Sequence, residues 1–460
     1  MMPEGISDRF RPGGGALRAF RQVAREKPGT DARPERGTGG SEVVVGDSER
    51  FVIVGAGMAG AKGAEALRAL GFDGRIALLG DEPHRPYERP PLSKDYLLGN
   101  TGFDAAYVHD EGWYADNRVD LQLQVSVRRI DRSLRQVELA DGARIDFDKL
   151  MITTGAHPRS LPVPGIEAEG VLHLRRVEDS DRIKQALAEV DRLVVVGAGW
   201  IGLEVAAAAR TAGVAVTVVE TAELPLLRVL GPEVAQVFAD LHRAHGVEFR
   251  FGTAVDEIRT SGGRTTGVRL TDGAEVPAAA VLVAVGVEPD VELAQQAGLR
   301  VQNGILVDAS LRTPDPNIVA AGDVANAFNP LLGKQIRVEH WANALNQPAT
   351  AAAAMLGRDA EYSELPYFFT DQYAPDAGGI GMEFLGHVEP GGYEQVVFRG
   401  DVAAREFIAF WLNGGRVVAG MNVNVWDVQD QLRTLITSGT TVDTAALADP
   451  GTPLNDLIAR

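Results

Sequence analysis

The residues with the clearest chemical meaning are three closely spaced glycines, Gly55, Gly57 and Gly60, which directly follow the apolar run at residues 51–54. An apolar run followed by such glycines predicts a buried strand, a tight turn and a helix that begins near residue 61. In a unit of this kind the backbone approaches a pyrophosphate closely, and the helix N-terminus offers free N–H groups and a partial positive charge. One such motif is weak evidence, because it is equally typical of a tight strand-to-helix turn.

The motif occurs a second time, at Gly197, Gly199 and Gly202, after the apolar run at residues 193–196. Each copy is followed by a second predicted strand, an Asp-Gly hairpin signal and a closing strand that ends in glycine. The hairpin glycine and the closing glycine have the same spacing in both copies, residues 142 to 155 and residues 273 to 286. This matched spacing predicts an internal duplication of a dinucleotide-binding unit, and therefore two nucleotide sites.

A carboxylate follows the second strand of each copy, at Asp81 and at Glu220. A carboxylate at this place accepts hydrogen bonds from ribose hydroxyls and repels a 2′-phosphate. Because Thr221 and Ala222 after Glu220 are not basic, the second unit is predicted to prefer NADH over NADPH. Arg228 lies farther along and complicates that preference.

The loop after Asp81 differs from its counterpart, because it is rich in arginine and proline. Arg89 and Lys94 in this loop have the charge needed to neutralise a pyrophosphate or an anionic ring. A solvated surface loop is the alternative interpretation of the same residues.

The composition excludes several classes of function. The chain has no cysteine, which excludes disulfides, CxxC zinc sites, protein-bound iron–sulfur clusters and a thiol nucleophile. The formal net charge of −18 argues against nonspecific binding to nucleic acid or membranes. No apolar run is long enough to predict a membrane span. His242 and His245 are interpreted as a solvated pair rather than as metal ligands, because no third ligand is evident, and no metal site is expected.

The pattern of elements predicts an α/β protein with two Rossmann-like dinucleotide-binding domains and a C-terminal α+β domain. Residues 1–50 lack an apolar block and are expected to be a disordered extension. The predicted domains are a first, discontinuous dinucleotide-binding domain at 51–165 and 287–330, a second dinucleotide-binding domain at 166–286, and a C-terminal domain at 331–460 with a helix at 427–437.

Several stretches together resemble the FAD-dependent ferredoxin reductases of bacterial oxygenase and cytochrome P450 systems. The similarity covers about residues 50–455, and apoptosis-inducing factor is a relative in the same superfamily. The resemblance implies a glutathione-reductase-like fold that binds FAD and NAD(H). It implies that the domain at 51–165 and 287–330 binds FAD, that the domain at 166–286 binds NAD(H), and that 331–460 is a reductase domain. It is carried by PYERPPLSKDYL, ITTGAHPRSLPVPG, VVVGAGWIGLEVAA, IVAAGDVA, VEHWANALNQ and PYFFTDQY.

The resemblance also implies roles for individual residues at the flavin. Lys94 is expected near the isoalloxazine N5, Glu178 is expected to pair with Lys94, and Trp341 is expected against the isoalloxazine, so these three are the predicted catalytic residues. The remaining expected FAD contacts are Gly55, Gly57, Ala59 and Gly60 in the cradle, Asp81 at the adenosine ribose, Val127 at the adenine, Arg89 and Arg175, and Asp323 at the ribityl chain. The expected NAD(H) contacts are Gly197, Gly199, Gly202, Glu204, Glu220, Gly286 and Glu339.

The implied reaction is hydride transfer from NADH to FAD, followed by two single-electron transfers to a [2Fe–2S] ferredoxin that serves a monooxygenase or a dioxygenase. The absence of cysteine excludes the disulfide reductases and thiol peroxidases of the same fold. Two alternatives stay open: an NADH-dependent reductase of a quinone or another small acceptor, and a factor similar to apoptosis-inducing factor with slow turnover. The expected partner is a transiently bound ferredoxin, with no nucleic acid or membrane, for a cytoplasmic monomer or homodimer.

Two features depart from the family pattern. Trp200 occupies the second cradle, where it either gates the nicotinamide or packs in the core. The segment at residues 373–386 is longer than usual, and its extra residues are expected to form a loop that alters acceptor docking or subunit contacts.

Overall fold

The computed structural model describes residues 49–457. The extension predicted at residues 1–50 lies outside the described residues except for its last two positions, since Arg50 already begins the first strand.

The described residues form many short strands and ten α-helices, numbered here in chain order. The strands are β1 (Arg50–Val54), β2 (Arg75–Leu79), β3 (Val119–Gln122), β4 (Val127–Asp131), β5 (Gln136–Leu139), β6 (Arg144–Asp146), β7 (Lys149–Ile152), β8 (Ala156–Pro158), β9 (Val171–Leu172), β10 (Arg192–Val196), β11 (Ala215–Glu220), β12 (Glu248–Phe251), β13 (Val255–Ser261), β14 (Arg264–Leu270), β15 (Glu275–Pro277), β16 (Ala280–Val283), β17 (Val287–Pro289), β18 (Ile305–Val307), β19 (Ile318–Ala320), β20 (Ala325–Asn329), β21 (Lys334–Ile336), β22 (Tyr367–Gln372), β23 (Ile380–Gly386), β24 (Gln395–Asp401), β25 (Glu406–Asn413) and β26 (Arg416–Val423). The α-helices are α1 (Met58–Ala69), α2 (Asp95–Leu98), α3 (Trp113–Asp116), α4 (Val177–Glu189), α5 (Trp200–Thr211), α6 (Leu227–Ala244), α7 (Glu292–Gln296), α8 (Trp341–Met355), α9 (Gln429–Ser438) and α10 (Thr444–Ala448). Short 3₁₀ helices cover Pro90–Ser93, Phe103–Ala106, Pro375–Ala377 and Leu454–Leu457.

The first unit is built on a parallel sheet with the strand order β19-β7-β1-β2-β3. After Arg50, strand β1 is apolar because helices cover both faces of a parallel sheet, and Val52 and Ile53 are fully buried. Helix α8 packs against α1, and Ala351 and Met355 belong to the core of this unit. The predicted boundary at residue 330 is therefore too early, because α8 belongs to the first unit and not to the C-terminal one.

The second unit repeats this arrangement in the parallel order β12-β11-β10-β16-β9. In both units the strand before the glycines lies between the second strand and the closing strand. Both Asp-Gly turns are hairpins, and Gly142 and Gly273 each have φ of 88°. The duplication predicted from the matched spacing is confirmed. Strands β8 and β17 pair with each other where the chain crosses between the two units.

The C-terminal unit is an antiparallel sheet with the order β22-β23-β26-β25-β24. Helix α9 packs on this sheet through Leu432 and Leu435. The helix begins at Gln429, two residues after the start of the predicted helix at 427–437. This is the α+β architecture that the sequence predicts for the end of the chain.

The C-terminal unit packs on helix α6 of the second unit. The fully buried Trp411 donates from Nε1 to the carbonyl oxygen of Leu230, 2.9 Å away. His242 on the same helix is fully buried as well: its Nε2 lies 2.8 Å from Oε1 of Gln372, and its Nδ1 lies 2.9 Å from the Tyr373 hydroxyl. The interpretation of His242 as solvated is therefore wrong, because α6 turns its histidine face onto β22 and not toward water.

The buried His242 predicts a pH dependence of stability. Burial lowers the pKa of His242 to about 4, so between the ordinary histidine value and this one the unfolded chain binds a proton that the folded chain does not. The free energy of unfolding should therefore fall as pH drops from about 6.5 to about 4, by up to about 1.4 kcal/mol per pH unit from this ring. Thermal unfolding midpoints measured across that range should fall less steeply in His242→Gln than in the parent protein. An equal slope in His242→Gln would contradict the assignment.

Candidate functional site

The first glycine cradle has the geometry that a close approach of backbone to a ligand requires. Gly55 has φ of 111°, and a Cβ placed on it would lie 2.3 Å from the carbonyl oxygen of Thr153. A Cβ on Gly60 would lie 2.1 Å from the carbonyl oxygen of Gly55. A Cβ on Gly57 would meet nothing within 4 Å, so the space above this residue is open. At Gly55 and Gly60 the fold therefore has no room for a side chain, whereas at Gly57 there is open space beside the N-terminus of α1.

The second cradle repeats these contacts. Gly197 has φ of 102°, and a Cβ on it would lie 2.4 Å from the carbonyl oxygen of Ala284. A Cβ on Gly202 would lie 2.3 Å from the carbonyl oxygen of Gly197, whereas a Cβ on Gly199 would meet nothing within 4 Å. Each unit therefore offers a helix N-terminus that an anionic pyrophosphate can approach.

The two carboxylates at the strand ends are held differently. Asp81 forms an ion pair with Arg176, and about half of its side chain is exposed. Glu220 accepts from the backbone N–H groups of Ala198 at 2.8 Å and Ala222 at 2.9 Å, so its carboxylate is tied to the cradle itself. A carboxylate can accept about four hydrogen bonds. Glu220 therefore still has acceptor capacity for a ribose hydroxyl.

Val127 is the first residue of β4 in the first unit. The preceding Val125 donates from its N–H to the carbonyl oxygen of Gly80 at 2.8 Å, which places this segment beside the end of β2. This position is compatible with the adenine contact expected for Val127.

Two predicted flavin contacts meet at the edge of the first cradle. Arg175 Nη2 lies 3.1 Å from Asp323 Oδ2. A Cβ on Gly322 would lie 3.0 Å from Cβ of Ala59, so the GDVA turn sits directly against the start of α1. Arg175 and Asp323, both expected at FAD, thus contact each other, and Gly322 next to Asp323 lies against Ala59.

Arg89 has its charge compensated within its own loop. Its Nη2 lies 2.7 Å from Glu82 Oε1, and its Nη1 donates to the carbonyl oxygen of Arg175. Burial alone would raise the pKa of the Glu82 carboxyl, but Arg89 and the Tyr87 hydroxyl hold it below its ordinary value. Arg89 therefore ties the arginine-rich loop to the segment that contains Arg175.

The partner of Lys94 differs from the one expected. Lys94 Nζ lies 2.7 Å from Glu204 Oε1, whereas Glu178 lies 3.0 Å from Nε2 of His84. The reason is packing: α5 carries Glu204 against the 3₁₀ helix Pro90–Ser93, while Glu178 in the first turn of α4 points outward with 46% of its side chain exposed. The predicted Lys94–Glu178 pair is therefore wrong, and the catalytic role inferred for Glu178 loses its basis.

Glu204 is held by more than Lys94. The Thr370 hydroxyl donates to its Oε1 at 2.6 Å, the Ser93 hydroxyl donates to its Oε2, and only 6% of its side chain is exposed. The sequence did contain a signal for this, since a carboxylate inside the apolar stretch of α5 needs a buried partner. Glu204 is also a predicted cofactor-binding residue, and its contacts in the structure join three separate segments of the chain.

Trp341 is the first residue of α8, and its Nε1 donates to Glu88 Oε2 at 3.0 Å. Its ring meets the edge of Phe369 at 6.0 Å between centroids, and Lys94 Nζ lies 5.7 Å from the centre of the same Phe369 ring. Trp341 and Lys94 therefore share one neighbour. Sequence reasoning did not identify Glu88 or Phe369.

The two residues just before Trp341, Glu339 and His340, lie next to it in the chain at the start of α8. Glu339 is exposed and forms an ion pair with Arg337. His340 stacks on Phe368 at 4.5 Å, and burial lowers its pKa to about 4. A neutral imidazole and an exposed carboxylate are thus presented beside Trp341.

Gly286 and Trp200 lie where the units meet. Gly286 has φ of 98° and accepts at its carbonyl oxygen from the N–H of Arg159 at 2.9 Å. Trp200 packs between Phe238 at 5.5 Å and Phe368 at 4.8 Å, so it contributes to packing between the second and C-terminal units.

Some site classes have no candidate within residues 49–457. No three His, Asp or Glu side chains in this part of the chain are arranged to hold a metal ion. Similarly, no described helix combines the length and the apolar character needed to cross a membrane.

Comparison with known families agrees with this geometry. A model of the pyridine nucleotide-disulphide oxidoreductase family matches residues 49–348, and a model of the reductase C-terminal family matches residues 367–458. The two models together cover both glycine cradles and the antiparallel unit.

Individual relatives match along nearly their whole length. The chain is 44% identical to the ferredoxin–NAD(+) reductase component of the anthranilate 1,2-dioxygenase system of Burkholderia cepacia, over 88% of this chain and 98% of that protein. It is 38% identical to putidaredoxin reductase of Pseudomonas putida, over 90% of this chain and 97% of that protein.

Two solved structures share the fold. The covalent putidaredoxin reductase–putidaredoxin complex matches with a TM-score of 0.84 and 37% identity, over 89% of this chain and 98% of that chain. The ferredoxin reductase for the CYP199A2 system from Rhodopseudomonas palustris also has a TM-score of 0.84 and 37% identity, over 89% of this chain and 99% of that chain. The predicted fold class is confirmed.

The unequal surroundings of the glycines predict a contrast between two single substitutions in the second cradle. Gly199→Ala has room for its methyl group, so the protein should fold normally, but the methyl group should obstruct a dinucleotide and raise the KM for NADH. Gly202→Ala forces a methyl group against the Gly197 carbonyl oxygen and should lower the thermal unfolding midpoint. Differential scanning fluorimetry and NADH titration distinguish the two effects. If Gly199→Ala bound NADH normally, the second cradle would not be the NADH site.

Proposed function

Because this chain belongs to the pyridine nucleotide-disulphide oxidoreductase family, we propose that it passes electrons from NADH through FAD to a [2Fe–2S] ferredoxin. The observation that carries the proposal is the match to two ferredoxin reductases over 97% and 98% of their length, with the C-terminal reductase unit included. We further propose that the ferredoxin serves a monooxygenase or a dioxygenase, as in the named systems of those relatives.

The residues at the first cradle fit FAD. The open space at Gly57 admits a pyrophosphate at the N-terminus of α1, and Asp323, which follows the Gly322 that lies against Ala59, offers a carboxylate to a polyol chain. Arg175 lies 3.1 Å from Asp323 and fixes that carboxylate in place. When bound, FAD converts a two-electron donor into a source of single electrons.

The chain itself contributes orientation and charge at the flavin. We propose that Lys94 faces the flavin N5 with Glu204 as its counter-ion, and that Trp341 shields the ring while Glu88 fixes the indole. Glu204 takes the place that the sequence interpretation gave to Glu178. These roles rest on the family resemblance together with the contacts described above.

The second cradle fits NADH. Glu220 presents a carboxylate where a 2′-phosphate would otherwise sit, and the backbone N–H groups of Ala198 and Ala222 hold it there. A negative charge fixed in this position repels NADPH. Glu339 is proposed to lie near the nicotinamide.

We propose that electrons pass from the flavin to the acceptor without an intermediate thiol pair in the protein. A disulfide reductase of the same fold needs a thiol pair in its own chain, and this chain has no cysteine. The reaction needs NADH, so we propose that the protein works in the cytoplasm, and the ferredoxin is proposed to bind transiently.

The proposal is tested by NADH-dependent reduction of cytochrome c, measured with and without an added [2Fe–2S] ferredoxin. Ferredoxin should accelerate cytochrome c reduction, because it accepts the single electrons that the flavin releases. The same ferredoxin without its cluster is the control and should give no acceleration.

Equal rates with intact and cluster-free ferredoxin would overturn the proposal. Acceleration by a quinone alone would favour a reductase of small acceptors. Slow flavin bleaching by NADH together with a changed elution volume would favour a factor similar to apoptosis-inducing factor.

A further inference from the structure

Strand β22 carries an acidic side chain next to the Lys94–Glu204 pair. Side chains alternate along a strand, and the burial of β22 follows this alternation: Phe368, Thr370 and Gln372 are buried, while Tyr367, Phe369 and Asp371 are half-buried. Thr370 donates to Glu204, and the ring of Phe369 lies 5.7 Å from Lys94 Nζ. Asp371 is the next residue on the Phe369 face, so it lies beside the side chains expected at the flavin.

The carboxylate of Asp371 is left without a close partner. Within residues 49–457 the structure gives it neither a hydrogen bond nor an ion pair, although its side chain is half-buried. Its strand neighbour Gly381 leaves room for it, since a Cβ on Gly381 would lie 3.1 Å from Asp371 Oδ1 and 2.7 Å from the Trp426 ring. An unpartnered, half-buried carboxylate can exchange a proton with water and with an adjacent group.

Burial of Asp371 favours its protonated form. Burial raises the pKa of Asp371 to about 7; Lys94 opposes the rise, and Glu204, Asp95 and Glu383 add to it. Lys94 cannot act as the base itself, because it is a cation paired with Glu204. Glu204 is engaged as well, since it accepts from Lys94, Ser93 and Thr370.

The proposed reaction requires a group that accepts a proton. A hydride brings two electrons and one proton to the flavin, whereas each [2Fe–2S] cluster takes one electron and no proton. After two ferredoxins have been reduced, one proton is left over and must leave the site. A base whose pKa is close to the working pH suits this task best.

We propose that Asp371 accepts this proton and passes it to solvent, an inference that rests on the proposed function. An O–H bond forms on the Asp371 carboxylate as the N–H bond made by the hydride breaks, and the electron pair of that bond stays in the flavin ring. The two electrons then reside on two ferredoxin clusters, each reduced by one electron. Asp371 returns to the carboxylate when it releases the proton to water.

The first test separates the two half-reactions of the flavin-loaded protein by stopped flow. Asp371→Asn should leave flavin bleaching by NADH almost unchanged and slow electron delivery to ferredoxin by on the order of 10²-fold. In the parent protein, electron delivery should quicken as pH rises through about 7, and this rise should be absent in Asp371→Asn. Asp371→Glu should restore both the rate and the pH dependence.

Asp95→Asn is the matched control, because it removes a neighbouring negative charge and leaves the proposed base in place. It should keep the pH-dependent rise. Equal slowing of both half-reactions by Asp371→Asn, or the same behaviour in Asp95→Asn, would show a role in charge or folding and overturn the proposal. Ferricyanide, a one-electron acceptor, replaces ferredoxin in a parallel series, so the test of Asp371 remains valid even if ferredoxin is not the acceptor.

A second readout needs no turnover. A carboxyl whose pKa is raised in the folded state contributes stability below its unfolded pKa, near 4, and that contribution is lost as pH rises through about 7. Asp371→Asn should therefore unfold at a higher temperature than the parent protein above pH 7, and this gain should disappear near pH 4. Equal unfolding midpoints above pH 7, or a parent protein whose electron delivery does not change with pH, would overturn the proposal.

Discussion

The ion pair between Lys94 and Glu204 is the interaction on which the arrangement of the site depends. Both side chains are largely buried, with 14% and 6% exposed, and their atoms lie 2.7 Å apart. Taking two charges out of water is costly unless they are paired and their remaining hydrogen-bonding capacity is used. The hydroxyls of Ser93 and Thr370 satisfy this condition for the carboxylate. Loss of one partner would leave a buried charge uncompensated, at a cost of about 3–5 kcal/mol.

The pair also sets how the three units meet. Lys94 follows the arginine-rich loop of the first unit, Glu204 lies on α5 of the second unit, and Thr370 lies on β22 of the C-terminal unit. A hydride donor bound at the second cradle must reach a flavin bound at the first, so the orientation of the units decides whether the reaction occurs. One buried electrostatic contact that all three units share is well suited to fixing that orientation.

The other cations near the first cradle follow the same rule. Arg89 is paired with Glu82, and Arg175 is paired with Asp323. Each positive charge has its own carboxylate, so the site carries little net charge from these groups although the whole chain has a net charge of −18. Asp371 stands apart because it has no such counter-ion, which makes it able to change its protonation state during turnover.

The sequence predicted the features that depend on local backbone geometry. The glycines of both cradles and the two Asp-Gly hairpins follow from φ and from close approach, which a few neighbouring residues determine. Arg175 and Asp323, which the resemblance places at FAD, lie 3.1 Å apart. Features that depend on which helix face packs against another unit were missed: Glu204 rather than Glu178 meets Lys94, His242 is buried, and α8 joins the first unit. The periodicity of a helix predicts which of its faces is buried, but not which distant segment of the chain packs against that face.

The flavin midpoint potential tests most directly the claim that Glu204 is the counter-ion of Lys94 at the flavin. Glu204→Gln keeps the shape of the side chain but removes its charge, which leaves Lys94 uncompensated beside a flavin that becomes negative on reduction. The account predicts a potential more positive by about 30 mV or more, which corresponds to about 1.4 kcal/mol for a two-electron couple. Glu178→Gln should leave the potential unchanged. An unchanged potential in Glu204→Gln, or an equal shift in Glu178→Gln, would contradict the account.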